Sequence, residues 1–110
     1  MINNLEAQNE IKILASNIRV ARKRRRRTLR DIAERTGVSV STLSRLESGD
    51  DSISIGTVFE VLSALDLLRG IGSITAPEND VAQVLAEVRD IRLKKRAGAK
   101  NNFSEEDLDF

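Results

Sequence analysis

The stretch TLRDIAERTGVSVSTLSRLESG, Thr28–Gly49, reads as two short helices joined at Gly37. Thr28 suits an N-cap, with Asp31 in the first turn where the helix dipole favours a negative charge. Ile32 and Ala33 face inward. Thr36 and Gly37 end the first helix, Gly37 being suited to a left-handed backbone that a side chain resists. Ser39 caps the second helix, Val40–Ser48, which buries Leu43 and Leu46; Val38 fills the angle and Gly49 is the stop. Small Ala33 lets the two helices cross closely. The groups left facing outward are Ser39, Val40, Ser41, Thr42, Ser44 and Arg45.

Immediately upstream lies the densest positive charge of the chain: eight of the twelve residues from Arg19 to Arg30 are Lys or Arg. Consecutive cations repel one another and weaken a helix end, so the run points to a polyanion rather than to a merely solvated face. A rigid helix pair beside a cationic block is the pattern of a DNA-binding domain. In that reading Arg45 is the main base-reading residue, because its planar fork can donate twice to guanine O6 and N7. Ser41 and Thr42 donate to or accept from bases, and Val40 packs on a thymine methyl. Ser39 stands with them among the base contacts. Arg22, Lys23, Arg24, Arg25, Arg26, Arg27 and Arg30 add salt-sensitive phosphate affinity, helped by Thr28 at a helix N-terminus and by Ser44 and Ser48.

Composition narrows the alternatives. The chain has 110 residues, 40% of them hydrophobic, with no Trp or Tyr, three Phe and one Pro, which favours helices packed on helices. The net charge of +1 hides a segregation: residues 1–76 carry twelve Lys/Arg against nine Asp/Glu, and residues 77–110 six against eight. There is no Cys and no His, so thiolate and histidine metal sites, disulfides and histidine acid–base catalysis are absent. No glycine-rich phosphate loop follows a strand, and Asp50–Asp51 is an isolated acidic pair in a polar loop. Nothing assembles a nucleophile, base and oxyanion donors, so neither enzyme activity nor a cofactor is expected. No apolar run is long enough for a membrane span, and the start MINNLEAQNEIK is unlike a signal peptide. A cytoplasmic protein is expected.

Outside the decisive stretch, residues 1–8 read as a flexible N-terminus. A helix over Gln8–Arg25 places Ile11, Leu14, Ile18 and Ala21 inward, with Lys12, Arg19, Arg22 and Lys23 largely elsewhere. Ser54 caps a further helix, Ile55–Leu65, with Ile55, Val58, Phe59, Leu62 and Leu65 on its inner face. Residues 67–76 hold apolar material broken by Gly70 and Gly72, leaving room for a short fifth helix. The domain is thus read as residues 9–76. Pro77 suits the first turn of a C-terminal helix, residues 77–97, with a narrow stripe of Val81, Val84, Leu85, Val88 and Ile91. That stripe packs on the parent domain, forms a homodimer seam, or contacts a partner protein, through Val84, Val88 and Ile91. The acidic–aromatic tail, residues 98–110, lacks periodicity. It is a disordered solubility segment, a linear motif anchored by Phe103, Leu108 and Phe110, or an acidic competitor for the arginine block.

Residues 18–68 resemble the XRE family of lambda-repressor-like helix-turn-helix domains, with Ala33, Gly37, Leu43, Leu46, Glu47 and Gly49 at the family's positions. The resemblance implies an all-α fold: a compact five-helix DNA-binding domain that binds operator DNA as a homodimer. It places positions 39, 40, 41, 42 and 45 against bases. Two departures stand out. Leu29 replaces the glutamine many members carry, and Val40 and Ser41 replace long amides. This either shifts specificity to Arg45 or weakens base readout. The extension, a helix followed by RLKKRAGAK and FSEEDLDF, is similar in its order of parts to HipB-like antitoxins of HipA-like kinase toxins in bacteria. The expected function is therefore a transcriptional repressor of that antitoxin kind. The alternatives are a stand-alone or phage-type repressor, and an interaction module acting through the C-terminal helix and tail.

Overall fold

The computed structural model describes the backbone of residues 2–101 and the side chains of residues 2–97. Five α-helices follow in order: α1 Leu5–Arg24, α2 Leu29–Thr36, α3 Val40–Glu47, α4 Ile55–Ala64 and α5 Val81–Asn101. Short 3-10 turns lie at Ile71–Thr75 and Pro77–Asn79, and there is no strand among the described residues. The all-α reading therefore holds. The chain divides after Arg69 into two units.

In the first unit α2 packs on both α3 and α4, while α1 packs on α3. The core is wholly apolar: Ala15, Ile18, Ile32, Leu43, Leu46, Val61, Leu62 and Leu65 are buried, and no polar side chain is buried with them. Each large member contributes about 1.5–3 kcal/mol relative to exposure. Two inner faces differ from the sequence reading. In α1 the inner stripe is Ile11, Ala15, Ile18 and Arg22, at intervals of four, three and four, with Ala15 and Ile18 buried and the outer two half-buried, whereas Leu14 stays 37% exposed. In α4 Val61 joins Leu62 and Leu65 inside, whereas Ile55 is 71% exposed and Phe59 36%. That helix is apolar on two overlapping stripes, and only its neighbours select one of them.

The start of the chain is also more ordered than expected. The Asn4 side chain accepts from the Ala7 N–H at 3.0 Å, so α1 begins at Leu5, which corrects the flexible reading of residues 5–8. The Ile2 N–H donates to Asp51 at 3.2 Å.

Left-handed residues end the four helices of the first unit. Gly37 has φ +77° and returns its N–H to Ala33, as its residue type foretold. Gly49 has φ +87°, with its own N–H on Leu46 and the next residue's N–H, that of Asp50, on Arg45. This is a Schellman turn. The same pair of bonds closes α1 and α4, but there the left-handed residues are Arg26, φ +54°, and Asp66, φ +58°.

In the second unit, Gly70 (φ +83°) leads into the Ile71–Thr75 turn, so the room left for a fifth domain helix is filled by a 3-10 turn beyond the boundary. The first unit ends at Arg69, whereas the sequence reading carried the domain to 76. Pro77 opens its own 3-10 turn, and α5 starts at Val81 behind Asp80, whose side chain accepts from the Gln83 N–H at 3.4 Å. The helix runs to Asn101, so the backbone of residues 98–101 is helical rather than tail. Val81, Leu85, Val88 and Leu93 are exposed on α5; Val84 and Ile91 are half-buried. Phe103, Leu108 and Phe110 lie outside the described residues.

Candidate nucleic-acid interface

Helix α3 presents a two-sided surface. Leu43 and Leu46 anchor it, while Ser41, Ser44, Arg45 and Ser48 are all exposed at spacings of three, one and three. That is one helical stripe. Val40 adds an apolar group, 44% exposed, at the start. Ser39 and Thr42 serve the helix first: Ser39 Oγ accepts from the Thr42 N–H at 3.1 Å and its hydroxyl donates to Thr42 Oγ1 at 2.9 Å. The Thr42 hydroxyl hydrogen is left for an outside acceptor. Ser48 turns its hydroxyl onto the Arg45 carbonyl at 2.8 Å, so its role is first a C-cap.

The cations expected at phosphates divide. Arg22 does not stand free. Its Nε donates to Glu47 Oε2 at 2.7 Å, Nη2 to Glu47 Oε1 at 2.9 Å, and Nη1 to the Arg27 carbonyl at 2.7 Å. Its side chain is 11% exposed and that of Glu47 10%. The hydrogen bond to Glu47 raises the Arg22 pKa above its ordinary value, so the guanidinium keeps its charge. Arg22, expected among the phosphate contacts, lies on the inner stripe of α1 and clasps α3 with three of its five N–H donors. Arg25 donates to the Ala21 carbonyl at 2.9 Å, tying one edge of its guanidinium to its own helix end. By contrast Lys23, Arg24, Arg26, Arg27 and Arg30 are exposed and bond no side chain among the described residues.

Arg19, absent from the sequence-based phosphate set, is the addition. It lines a shallow cleft with Arg22, Leu29, Ser44, Glu47 and Ser48, where α1, the start of α2 and α3 meet. Thr28 caps α2 here through a reciprocal box: its Oγ1 accepts from the Asp31 N–H at 3.1 Å and its own N–H donates to Asp31 at 2.7 Å. The donated N–H, then the hydroxyl contact, lower the Asp31 pKa. The N–H groups of Leu29 and Arg30 have no intrahelical acceptor and belong to the positive end of the helix. A clue in the sequence was available: Arg19 precedes Arg22 by three residues, next to the stripe that faces α3.

Arg45 also differs from a freely projecting reader. Its Nε donates to Asp50 Oδ2 at 2.8 Å and its Nη2 to Ser52 Oγ at 2.8 Å. The side chain is still 50% exposed. Asp50 and Ser52, read from the sequence only as a polar loop, are therefore part of the site. The Asp50 carboxyl is held down at about 2, first by the Ser52 hydroxyl, then by the Ser52 N–H and the Arg45 guanidinium.

No helix among the described residues is long and apolar enough to cross a membrane. Comparison with protein families matches residues 18–69 to a helix-turn-helix family. No curated protein and no solved structure matches the chain. The match begins at Ile18, at the centre of the α1 inner stripe, and ends at Arg69, where the first unit ends. Residues 18–69 thus match a helix-turn-helix domain, with α2 and α3 as its helix pair, and the match supports a DNA-binding regulatory module of the XRE type.

Proposed function

We propose that the protein is a sequence-specific repressor that binds a palindromic operator as a homodimer. The observation that carries this reading is the outward stripe of α3, with short hydroxyls and Arg45, beside a cleft that gathers Arg19, Ser44, Ser48 and the start of α2. Base contacts are assigned to Val40, Ser41, Thr42 and Arg45, with Ser39 at the helix start. Phosphate contacts are assigned to Arg19, Lys23, Arg24, Arg26, Arg27, Arg30, Thr28 and Ser44. Two domains on one face of a duplex place their reading helices roughly 34–36 Å apart, one DNA turn. The exposed apolar residues of α5 supply the dimer seam.

The finer reading is an antitoxin that represses its own operon and neutralises a HipA-like kinase toxin. Its support is the order of parts after α4: an amphipathic helix whose last turns carry the basic segment, then an acidic–aromatic end. A duplex titration over a salt series tests the DNA reading. Affinity falls by orders of magnitude between low and moderate salt. Arg45→Ala removes preference among sequences while general binding survives. Unchanged preference in that variant overturns the readout assignment. Deleting residues 98–110 separates the antitoxin from a stand-alone repressor: capture of a HipA-like kinase is lost while DNA binding persists.

A further inference from the structure

The contacts around Arg45 form a closed ring. Gly49 in its left-handed conformation sends the Asp50 N–H back to the Arg45 carbonyl at 3.1 Å. This return carries the Asp50 carboxylate onto the Arg45 side chain. Asp50 Oδ2 accepts from Arg45 Nε at 2.8 Å. Asp50 Oδ1 accepts from the Ser52 N–H at 2.8 Å and from the Ser52 hydroxyl. Ser52 Oγ in turn accepts from Arg45 Nη2 at 2.8 Å. A Schellman turn ordinarily brings an apolar pair together at these two positions. Here an ion pair stands in its place.

The edge that is taken matters. A guanidinium has five N–H donors. The ring uses the side edge, Nε and one hydrogen of Nη2. The end edge, made by Nη1 and the other Nη2 hydrogen, bonds nothing among the described residues. Those are the two parallel donors that guanine O6 and N7 require. We propose that Asp50, pinned by Ser52, is a positioning residue that fixes the pose of Arg45 and so sets its preference for guanine. The proposal rests on the assignment of Arg45 as a base reader. A long side chain already held in its binding pose loses less rotamer freedom when it meets a base. The carboxylate has an opposite effect on general affinity, because its charge repels phosphates. The two effects have different signatures.

The experiment uses the full chain and a randomised duplex pool, from which a preferred site is selected. Binding is then measured to that site, to its single-base replacements and to an unrelated duplex. Arg45→Ala identifies the position at which Arg45 reads guanine. Asp50→Asn and Ser52→Ala both lower the guanine preference at that position, Asp50→Asn by about tenfold, within the range of one bidentate contact. Binding of Asp50→Asn to the unrelated duplex stays equal or rises. In the Arg45→Ala background neither substitution changes preference anywhere. Ser52 is exposed and Asp50 half-buried, and circular dichroism confirms that the variants are folded. Asp50→Asn strengthening all duplexes alike, with preference intact, overturns the proposal and leaves Asp50 a charge quencher. Preference untouched by Arg45→Ala overturns the assignment of Arg45 itself, and the positioning role with it.

Discussion

Arg22 and Glu47 join α1 to α3 through two parallel hydrogen bonds, Nε to Oε2 at 2.7 Å and Nη2 to Oε1 at 2.9 Å. Both side chains are about nine-tenths covered. A bidentate pair in that setting holds geometry as well as energy. It fixes the C-terminal half of α3 against the first helix, next to the cleft that receives Arg19, Ser44 and Ser48.

Breaking this clasp leaves a partly buried charge without its partner. Glu47→Ala or Arg22→Ala is expected to cost about 2–4 kcal/mol, below or at the lower part of the range for buried pairs. For a domain of this size that lowers Tm by roughly 10 °C or more. Thermal unfolding followed by circular dichroism measures it. A drop of under about 2 °C means that the pair is a surface contact of little worth.

Arg26 occupies the left-handed position that closes α1, with φ +54°. Such a conformation costs a non-glycine residue about 1–2 kcal/mol, part of which glycine returns through its looser unfolded chain. Arg26→Gly should therefore stabilise the domain by roughly 0.5–1 kcal/mol while reducing the salt dependence of DNA binding by about one phosphate contact. Denaturant midpoints and a salt titration on the same variant test the two halves separately. A less stable glycine variant contradicts the strain.

The Asp50 carboxyl has a folded pKa of about 2 against an ordinary 3.8. Because the folded value is the lower one, the stabilisation from its contacts is complete above about pH 4 and disappears as pH falls through about 2. The amide of Ser52 and the Nε–H of Arg45 should shift together in NMR spectra with a midpoint near 2. The transition should vanish in Asp50→Asn. A midpoint near 4 shows that the ring is open in solution.

Val88 lies 40% exposed on α5 between Val84 and Ile91. In the proposed homodimer Val88→Asp buries an unpaired charge at the seam and weakens self-association at least tenfold. Sedimentation velocity reads the mass directly, and operator binding should lose its steepness. A variant that sediments like the parent chain moves the seam off α5.

Much of this architecture is written locally. Thr28, Ser39 and Ser54 announce helix starts because a side-chain oxygen one residue ahead of a helix satisfies N–H groups that nothing else can reach. Gly37 and Gly49 mark helix ends because the left-handed region suits them, and Leu43 and Leu46 show which side of α3 is held. These are interactions between near neighbours in the chain, so residue type and spacing suffice to read them, and with them the candidate reading helix. Tertiary packing decided what local order left open. Ile55 and Phe59 fit an inner stripe of α4 as well as Val61 does, and only the opposing helices chose between them. Arg22 belongs to a run of cations yet is drawn inward, because its acceptor Glu47 lies 25 residues away and becomes a neighbour only when α1 meets α3. The pose of Arg45 likewise depends on the path of the chain beyond Gly49. A periodic pattern states which groups share a face, but what each face meets, and which charge finds which partner, is set by the packing of the whole domain.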